Sequence, residues 1–215
     1  MKFYILASVI IFCAVIYHAT RRNTRLHEKE EKAFWERERQ ANETRKKSLD
    51  DLVFIEVPLE SFPTDLLQEN ETVQGYIDTI RGLTESGIVN LTGYTNTDLK
   101  LKYGTANITK LSQYDQNYTI LVSTLQQWAD ALLEEAQSGV TSAAVNPSAN
   151  AYITGATAIM EFAVSTKTDV SRTYYRLAEY YQTCGDDRKL ENLIKTAEGL
   201  RSANKNVILG HLKTV

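Results

Sequence analysis

Proline, cysteine and histidine are scarce in this chain of 215 residues, and their scarcity bears on which folds and chemistries are open to it. The only prolines are Pro58, Pro63 and Pro147, so the long stretches between them are free to form helices. The two cysteines, Cys13 and Cys184, are too few for a disulfide framework and form no C-x-x-C pair. The sequence therefore favours helices over a disulfide-rich or zinc-stabilised fold.

Signatures of catalysis and of nucleic-acid binding are also missing. The histidines His18, His27 and His211 are not paired at metal-ligand spacing, and no glycine-rich phosphate loop or nucleophile elbow occurs. Neighbouring acids such as Glu134 and Glu135 would diverge by about 100° on a helix, which suits a solvated surface better than an acid–base pair. The net charge of −3 gives no electrostatic reason for a nucleic-acid partner. We expect no enzyme activity, no metal, no other cofactor and no nucleic-acid partner.

A long apolar run lies at the N-terminus, from Phe3 to Ala19. As a helix it would be about 25 Å long, close to the lower limit for crossing a bilayer. A cleavable signal peptide is the alternative, but basic residues follow the run with no small-residue cleavage site between them. A lipoprotein is disfavoured because Ile-Ile-Phe precedes Cys13. We predict an uncleaved transmembrane anchor over residues 1–19, with membrane contact through residues 3–19.

The flanking charges predict a single-pass membrane protein whose soluble domain faces the cytoplasm. Lys2 precedes the apolar run and five basic residues follow it closely, which favours a cytoplasmic C-terminal side. These five are Arg21, Arg22, Arg25, Lys29 and Lys32. Patterns of the N-x-S/T type, if glycosylated, would favour the opposite side; they begin at Asn42, Asn70, Asn90, Asn107 and Asn117.

The rest of the chain divides into three predicted segments. Residues 20–50 are dense in charge and contain neither glycine nor proline, which predicts a solvated helical stalk. On this stalk Phe34 and Trp35 are either a docking point or incidental aromatics. Residues 51–63 are rich in β-branched and aromatic side chains but include two prolines, which predicts an extended strap along the domain. Residues 64–215 are predicted to form the helical domain.

Apolar residues recur at helical spacing through that domain. One stripe predicts a helix over residues 64–85, and a second predicts a helix over about residues 108–137. Between them, one of residues 95, 96 and 97 is expected to cap a short helical turn before Gly104. Residues 138–150 are small and polar and predict a loop.

The C-terminal third contains an internal periodicity of 34 residues. Ala156, Met160 and Ala163 line up at this offset with Leu190, Ile194 and Ala197. Between the two sets lies Tyr174-x-x-Leu177-Ala178-x-x-Tyr181, followed by Gly185. This pattern resembles the tetratricopeptide repeat, with tyrosine for the usual tryptophan and alanine for the usual glycine.

The resemblance covers residues 125–200 as two degenerate repeats, and residues 138–150 would interrupt one of them. Thr168 and Ser202 stand where the repeat usually carries a closing proline, so a generic helical bundle is the alternative. The resemblance implies a partner-binding groove on the helix over residues 171–183, and ordinary solvated surface is the other interpretation of the same positions. The groove residues would be Arg172, Tyr175, Arg176 and Glu179.

The predicted fold class is all-α, with a transmembrane helix and a charged stalk before a tetratricopeptide-like array. As a whole the chain also resembles uncharacterised bacterial single-pass membrane-anchored proteins, a likeness that implies no activity. The leading functional prediction is a membrane-tethered interaction or scaffold protein that holds a protein or peptide partner near the bilayer. The alternatives are a small-molecule-binding or catalytic domain that uses the Tyr/Asn-rich segment 103–118, and a subunit of a larger membrane complex.

Overall fold

A computed structural model describes residues 2–138 and 147–214, and the side chains of residues 2–9, 147 and 148 lie outside that description. Within the described ranges the chain forms eight α-helices, two short 3₁₀ turns and no strand, which confirms the all-α class. The helices are α1 (Lys2–Glu43), α2 (Glu71–Thr84), α3 (Asn96–Tyr103), α4 (Ile108–Ser138), α5 (Pro147–Ser165), α6 (Ser171–Cys184), α7 (Asp187–Glu198) and α8 (Lys205–Leu212), and the 3₁₀ turns are Leu59–Ser61 and Thr105–Asn107.

Over the residues whose side chains are described, no helix combines the length and the apolarity needed to cross a lipid bilayer. The predicted transmembrane anchor and single-pass localisation are therefore not supported by the structure. The predicted span begins at Phe3, and the side chains of residues 3–9 lie outside the described part. The apolar run and most of the charged stalk belong to one continuous helix, α1.

The chain forms two compact units, and their boundaries differ from those of the predicted segments. Unit 1 consists of Met1–Leu49 and Thr95–Ile108, and unit 2 consists of Asp50–Tyr94 and Thr109–Val215. Residues 95–108, which fall in the middle of the predicted helical domain, thus belong with the stalk.

In unit 1, α3 packs against the C-terminal third of α1 through polar and charged contacts. Arg37 of α1 donates to the Asp98 carboxylate at 2.6 Å, and Glu38 accepts from the Thr97 hydroxyl. Thr95 caps α3: its hydroxyl accepts from the Asp98 backbone N–H, and the Asp98 carboxylate accepts from the Thr95 backbone N–H. This capping box confirms the predicted cap and selects Thr95 from the three candidates. The hydrogen bonds from Thr95 hold the pKa of Asp98 below its usual value.

Gly104 ends α3 in a backbone conformation that only glycine adopts easily, with φ 87° and ψ 148°. A side chain here would also meet the backbone of the chain that follows α1, because a Cβ on Gly104 would overlap the Arg45 carbonyl oxygen. Nearby, the buried Asn107 amide donates to the carbonyl oxygens of Lys47 and Tyr103 at 2.8 and 2.7 Å. The connection after α1 is therefore fixed closely against the end of α3.

The core of unit 2 is organised around α4, as its apolar spacing predicts. All seven residues of the predicted stripe are buried: Leu111, Tyr114, Tyr118, Leu121, Leu125, Trp128 and Leu132. Trp128 has no exposed surface, and its ring meets Phe62 edge-to-face with centroids 5.9 Å apart. Phe62 lies at the end of the predicted strap, in which residues 52–58 form neither helix nor strand.

The predicted helix over residues 64–85 begins later than expected, at Glu71. Asn70 is the physical cause, because its side chain accepts hydrogen bonds from the backbone N–H groups of Thr72 and Val73 and so satisfies donors at the start of α2. The residues before it form turns, and Leu67 there has a positive φ of 56°. The prediction of the helix start at Thr64 was wrong by about two turns.

Among the C-terminal helices, α6 packs against α5, α7 and α8. Ala163 and Ala178 are buried, and Gly185 after α6 adopts the left-handed conformation, φ 67°, that the predicted tight turn requires. Asp186 then caps α7 by accepting from the Lys189 backbone N–H at 3.0 Å. These features place the helices where the periodicity predicts them, and the tetratricopeptide-like repeat itself stays a prediction. Of the predicted loop, residues 139–146 lie outside the described residues.

Candidate functional site

The N-terminal part of α1 exposes a continuous apolar surface. Residues 10–17, here called the apolar segment, read Ile-Ile-Phe-Cys-Ala-Val-Ile-Tyr, and all are exposed. The large side chains among them are 48–64 % exposed, so no described part of the chain covers them. Because these residues extend over more than two helical turns with no charged position, the helix is apolar on every side. A surface of this kind is rare in water and typical of a helix surrounded by hydrocarbon or by a partner.

The end of the apolar segment is marked by an aromatic and a basic residue that contact each other. The Arg21 guanidinium lies 6.0 Å from the centroid of the Tyr17 ring, and its Nη1 donates to the Tyr17 hydroxyl at 3.4 Å. His18 meets the same ring edge-to-face at 5.8 Å. Amphipathic rings beside basic groups are typical of the level where a bilayer meets water.

Contacts within unit 2 engage all four predicted groove residues. Arg172 Nε lies 3.1 Å from the Asp130 carboxylate on α4, and the Tyr175 ring packs against His211 of α8 with centroids 3.9 Å apart and ring planes tilted by 40°. Arg176 is 3.4 Å from the Glu179 carboxylate, and Glu179 is exposed. The face is thus partly covered by α4 and α8, and the groove stays a prediction.

Polar side chains of the Tyr/Asn-rich segment 103–118 form hydrogen bonds to backbone carbonyl oxygens of other segments. Asn117 donates to the Gly87 carbonyl oxygen at 2.8 Å, and the Tyr118 hydroxyl donates to the Thr166 carbonyl oxygen at 3.2 Å. Burial raises the pKa of Tyr118 to about 12. The segment is also divided, because residues 103–108 belong to unit 1 and residues 109–118 to unit 2. A cleft elsewhere in unit 2 is lined by other residues.

That cleft has a volume of about 390 Å³ and is formed by four stretches of the chain that are distant in sequence. It is lined by Val53 and Ile55 of the strap, Asn90, Thr92 and Tyr94, Ser165–Lys167 at the end of α5, and Gly199–Ser202 after α7. Its size lies within the range of small-ligand pockets, roughly 300–1,000 Å³.

The cleft presents two cations, Lys167 and Arg201, and neither has a carboxylate within 4.0 Å among the described residues. The Arg201 guanidinium lies 5.9 Å from the Tyr94 ring centroid. Lys167 adopts a positive φ of 62°, a strained conformation for a residue with a side chain. The Ser202 hydroxyl is buried and has no described partner. Together these groups suit a ligand that carries a negative charge on an apolar body.

Asn90 fixes one side of the cleft. Its amide nitrogen donates to the Thr166 carbonyl oxygen at 2.9 Å and to that of Lys167 at 3.3 Å, which supports the strained end of α5. Sequence reasoning missed this site because only contacts between distant segments bring its residues together. The local signal available was the turn-forming stretch from Asn90 to Gly93, which marks a loop but not a ligand site.

Within the described residues, no three His, Cys, Asp or Glu side chains are grouped as metal ligands. Comparisons with known proteins give no match to a family model, to a curated protein or to a solved structure. Function must therefore be argued from the surfaces of this chain.

Proposed function

We propose that this protein is a membrane-tethered helical scaffold, in which the apolar N-terminal end of α1 enters a lipid bilayer and the remaining chain presents its surface to a protein or peptide partner. One observation carries the proposal: the apolar segment is exposed on every side and no described residue covers it. The segment is about 12 Å long at 1.5 Å per residue, within a hydrocarbon core of about 30 Å. A segment of this length can therefore be inserted into the hydrocarbon core without spanning it.

The partner-binding half of the proposal is supported by surface that the fold leaves accessible near the predicted groove. Glu179 is exposed and Arg176 is half-buried beside it, whereas Tyr175 is engaged by α8. The basic residues that follow the apolar segment favour the cytoplasmic side for this surface.

We expect the full chain to stay in the membrane fraction after a carbonate wash, because hydrophobic insertion does not depend on surface charge. Replacing Ile11 and Val15 with glutamate should release it into the supernatant, since each carboxylate would have to enter hydrocarbon. The matched control replaces Leu26 and Phe34, exposed apolar residues of α1 outside the segment, with glutamate. The control should stay with the membrane. Parent protein in the supernatant, or equal release of both variants, would contradict the tether.

A second candidate function, ligand binding, is favoured by the cleft, whose two cations have no carboxylate partner among the described residues. We expect octanoate, a carboxylate on an apolar chain, to bind the full-length protein more tightly than inorganic phosphate does. Replacing Lys167 and Arg201 with glutamine should weaken octanoate binding at least about tenfold, because hydrogen bonds to charged groups contribute about 1.5–3 kcal/mol each. Isothermal titration calorimetry measures this, with Lys195→Gln/Lys213→Gln as the charge-matched control on exposed positions of unit 2. Equal binding by both double variants would exclude the cleft as the site.

A further inference from the structure

The basic residues that follow the apolar segment occupy one side of α1. At about 100° per residue, all five fall within an arc of about 100° around the helix axis. They are Arg21, Arg22, Arg25, Lys29 and Lys32, here called the cationic stripe. All five are exposed, and no carboxylate lies within 4.0 Å of any of them among the described residues. Glu28, at the edge of the stripe, forms no ion pair with Lys32 in the described structure, although it stands four positions before it on the helix.

The opposite side of the same turns is neutral or acidic. It carries Asn23, His27, Glu30 and Glu31, and His27 lies 3.7 Å from the Glu30 carboxylate. Helix formation alone does not require this separation of charge, because salt bridges along an isolated helix are gained by mixing the signs three or four residues apart. A stripe of one sign without internal partners suits a flat surface of the opposite sign.

The length of the stripe decides how α1 meets that surface. Lys29 and Lys32 lie about 18 and 22 Å along the helix from Tyr17, which marks the end of the apolar segment. The screening length at physiological ionic strength is about 8 Å. On a helix perpendicular to the bilayer these two lysines would be too far away to interact with lipid headgroups. Only a helix that leans toward the bilayer brings the whole stripe to the surface.

We propose that α1 leans onto the bilayer with its cationic stripe against anionic lipid headgroups. The inference rests on the proposed membrane tether and adds to it a lipid class and a direction of tilt. The apolar segment provides insertion into any bilayer, whereas the stripe selects bilayers that carry negative surface charge.

The test compares flotation of the full chain with neutral phosphatidylcholine vesicles and with vesicles that also contain phosphatidylserine. The parent should float with both, and phosphatidylserine should raise its affinity. Replacing Lys29 and Lys32 with glutamine should reduce the affinity for the anionic vesicles about 30-fold, because each basic residue at an anionic surface contributes a factor of about five. The same variant should bind neutral vesicles as tightly as the parent does. High salt should remove the difference in affinity between variant and parent on anionic vesicles.

The charge-matched control is Asn23→Glu/His27→Glu, which makes the same change in net charge on the opposite side of α1. It should retain the parent's affinity for anionic vesicles within about threefold, the smaller change expected of charges facing away from the surface. If Lys29→Gln/Lys32→Gln retains full affinity, or if the control loses as much, the leaning helix is refuted. Failure of the parent to float with neutral vesicles refutes the insertion of the apolar segment instead, so the two proposals fail separately.

Discussion

Replacing Trp128 with alanine is expected to lower the free energy of unfolding of unit 2 by about 3–5 kcal/mol. Trp128 is wholly buried in the core, and its ring packs edge-to-face on Phe62. Alanine would leave a cavity among close-packed neighbours and remove one of the contacts between the strap and α4. Urea unfolding followed by far-ultraviolet circular dichroism, in a mild detergent that keeps the full chain in solution, measures the change.

The chain supplies its own control, because its other tryptophan, Trp35, is 61 % exposed on α1. Trp35→Ala should shift the free energy of unfolding by less than about 0.5 kcal/mol. Trp128→Phe should be milder than Trp128→Ala, since it keeps most of the volume and removes an indole N–H that has no described partner. A Trp128→Ala variant as stable as the parent would show that the core is not built around α4.

Replacing Gly104 with alanine is expected to destabilise unit 1 by about 2 kcal/mol or more. The residue has a φ of 87°, which disfavours any side chain, and a Cβ there would overlap the Arg45 carbonyl oxygen. The backbone after α1 would have to move away from α3, and the hydrogen bonds of Asn107 would be disturbed with it. Amide hydrogen exchange should show the α3 amides losing protection about 30-fold, the equivalent of that free energy.

The same substitution at Gly82 should have the opposite effect. Gly82 lies within α2, and a Cβ there would meet nothing within 4 Å. Alanine should stabilise the helix by roughly 0.5–1 kcal/mol, because it restricts the unfolded chain and favours helix. If Gly104→Ala leaves the exchange of α3 unchanged, the close approach between the end of α3 and the chain after α1 does not exist.

The elements that the sequence predicted well are those determined by local pattern. The start of α4 and its buried stripe followed from apolar residues spaced three and four apart, a signal that needs no knowledge of the rest of the fold. The Thr95 cap and the left-handed turn at Gly185 were likewise predictable, because each depends on residues within one helical turn.

The features that were missed depend on contacts between distant segments. Nothing local to residues 95–108 shows that they pair with α1, because the pairing is made by Arg37 and Glu38, about sixty positions earlier. The start of α2 was misplaced because Leu67 continues the apolar spacing, whereas the side chain of Asn70 accepts from the first backbone donors and so starts the helix at Glu71.

The candidate sites show the same division. The apolar run is evident from composition, whereas the basic residues after it form a stripe only once the helix sets their angular positions. The cleft had no sequence signal, because Lys167 and Arg201 become neighbours only when the ends of α5 and α7 come together. The helix that carries the four predicted groove residues was predictable from local pattern, and the groove itself stays a prediction. The cover that α8 provides over Tyr175 depends on tertiary packing.

The pairing of α1 with α3 also sets an order of events during translation. Arg37 and its partner Asp98 are 61 residues apart, so at about 5–20 residues per second the ribosome needs roughly 3–12 s to supply the second after the first. During that interval the apolar N-terminal end of α1 has already been synthesised, whereas α3, which will pack against the other end of α1, has not. Under the proposed membrane tether, insertion of the nascent chain into a bilayer can thus begin before unit 1 is able to fold.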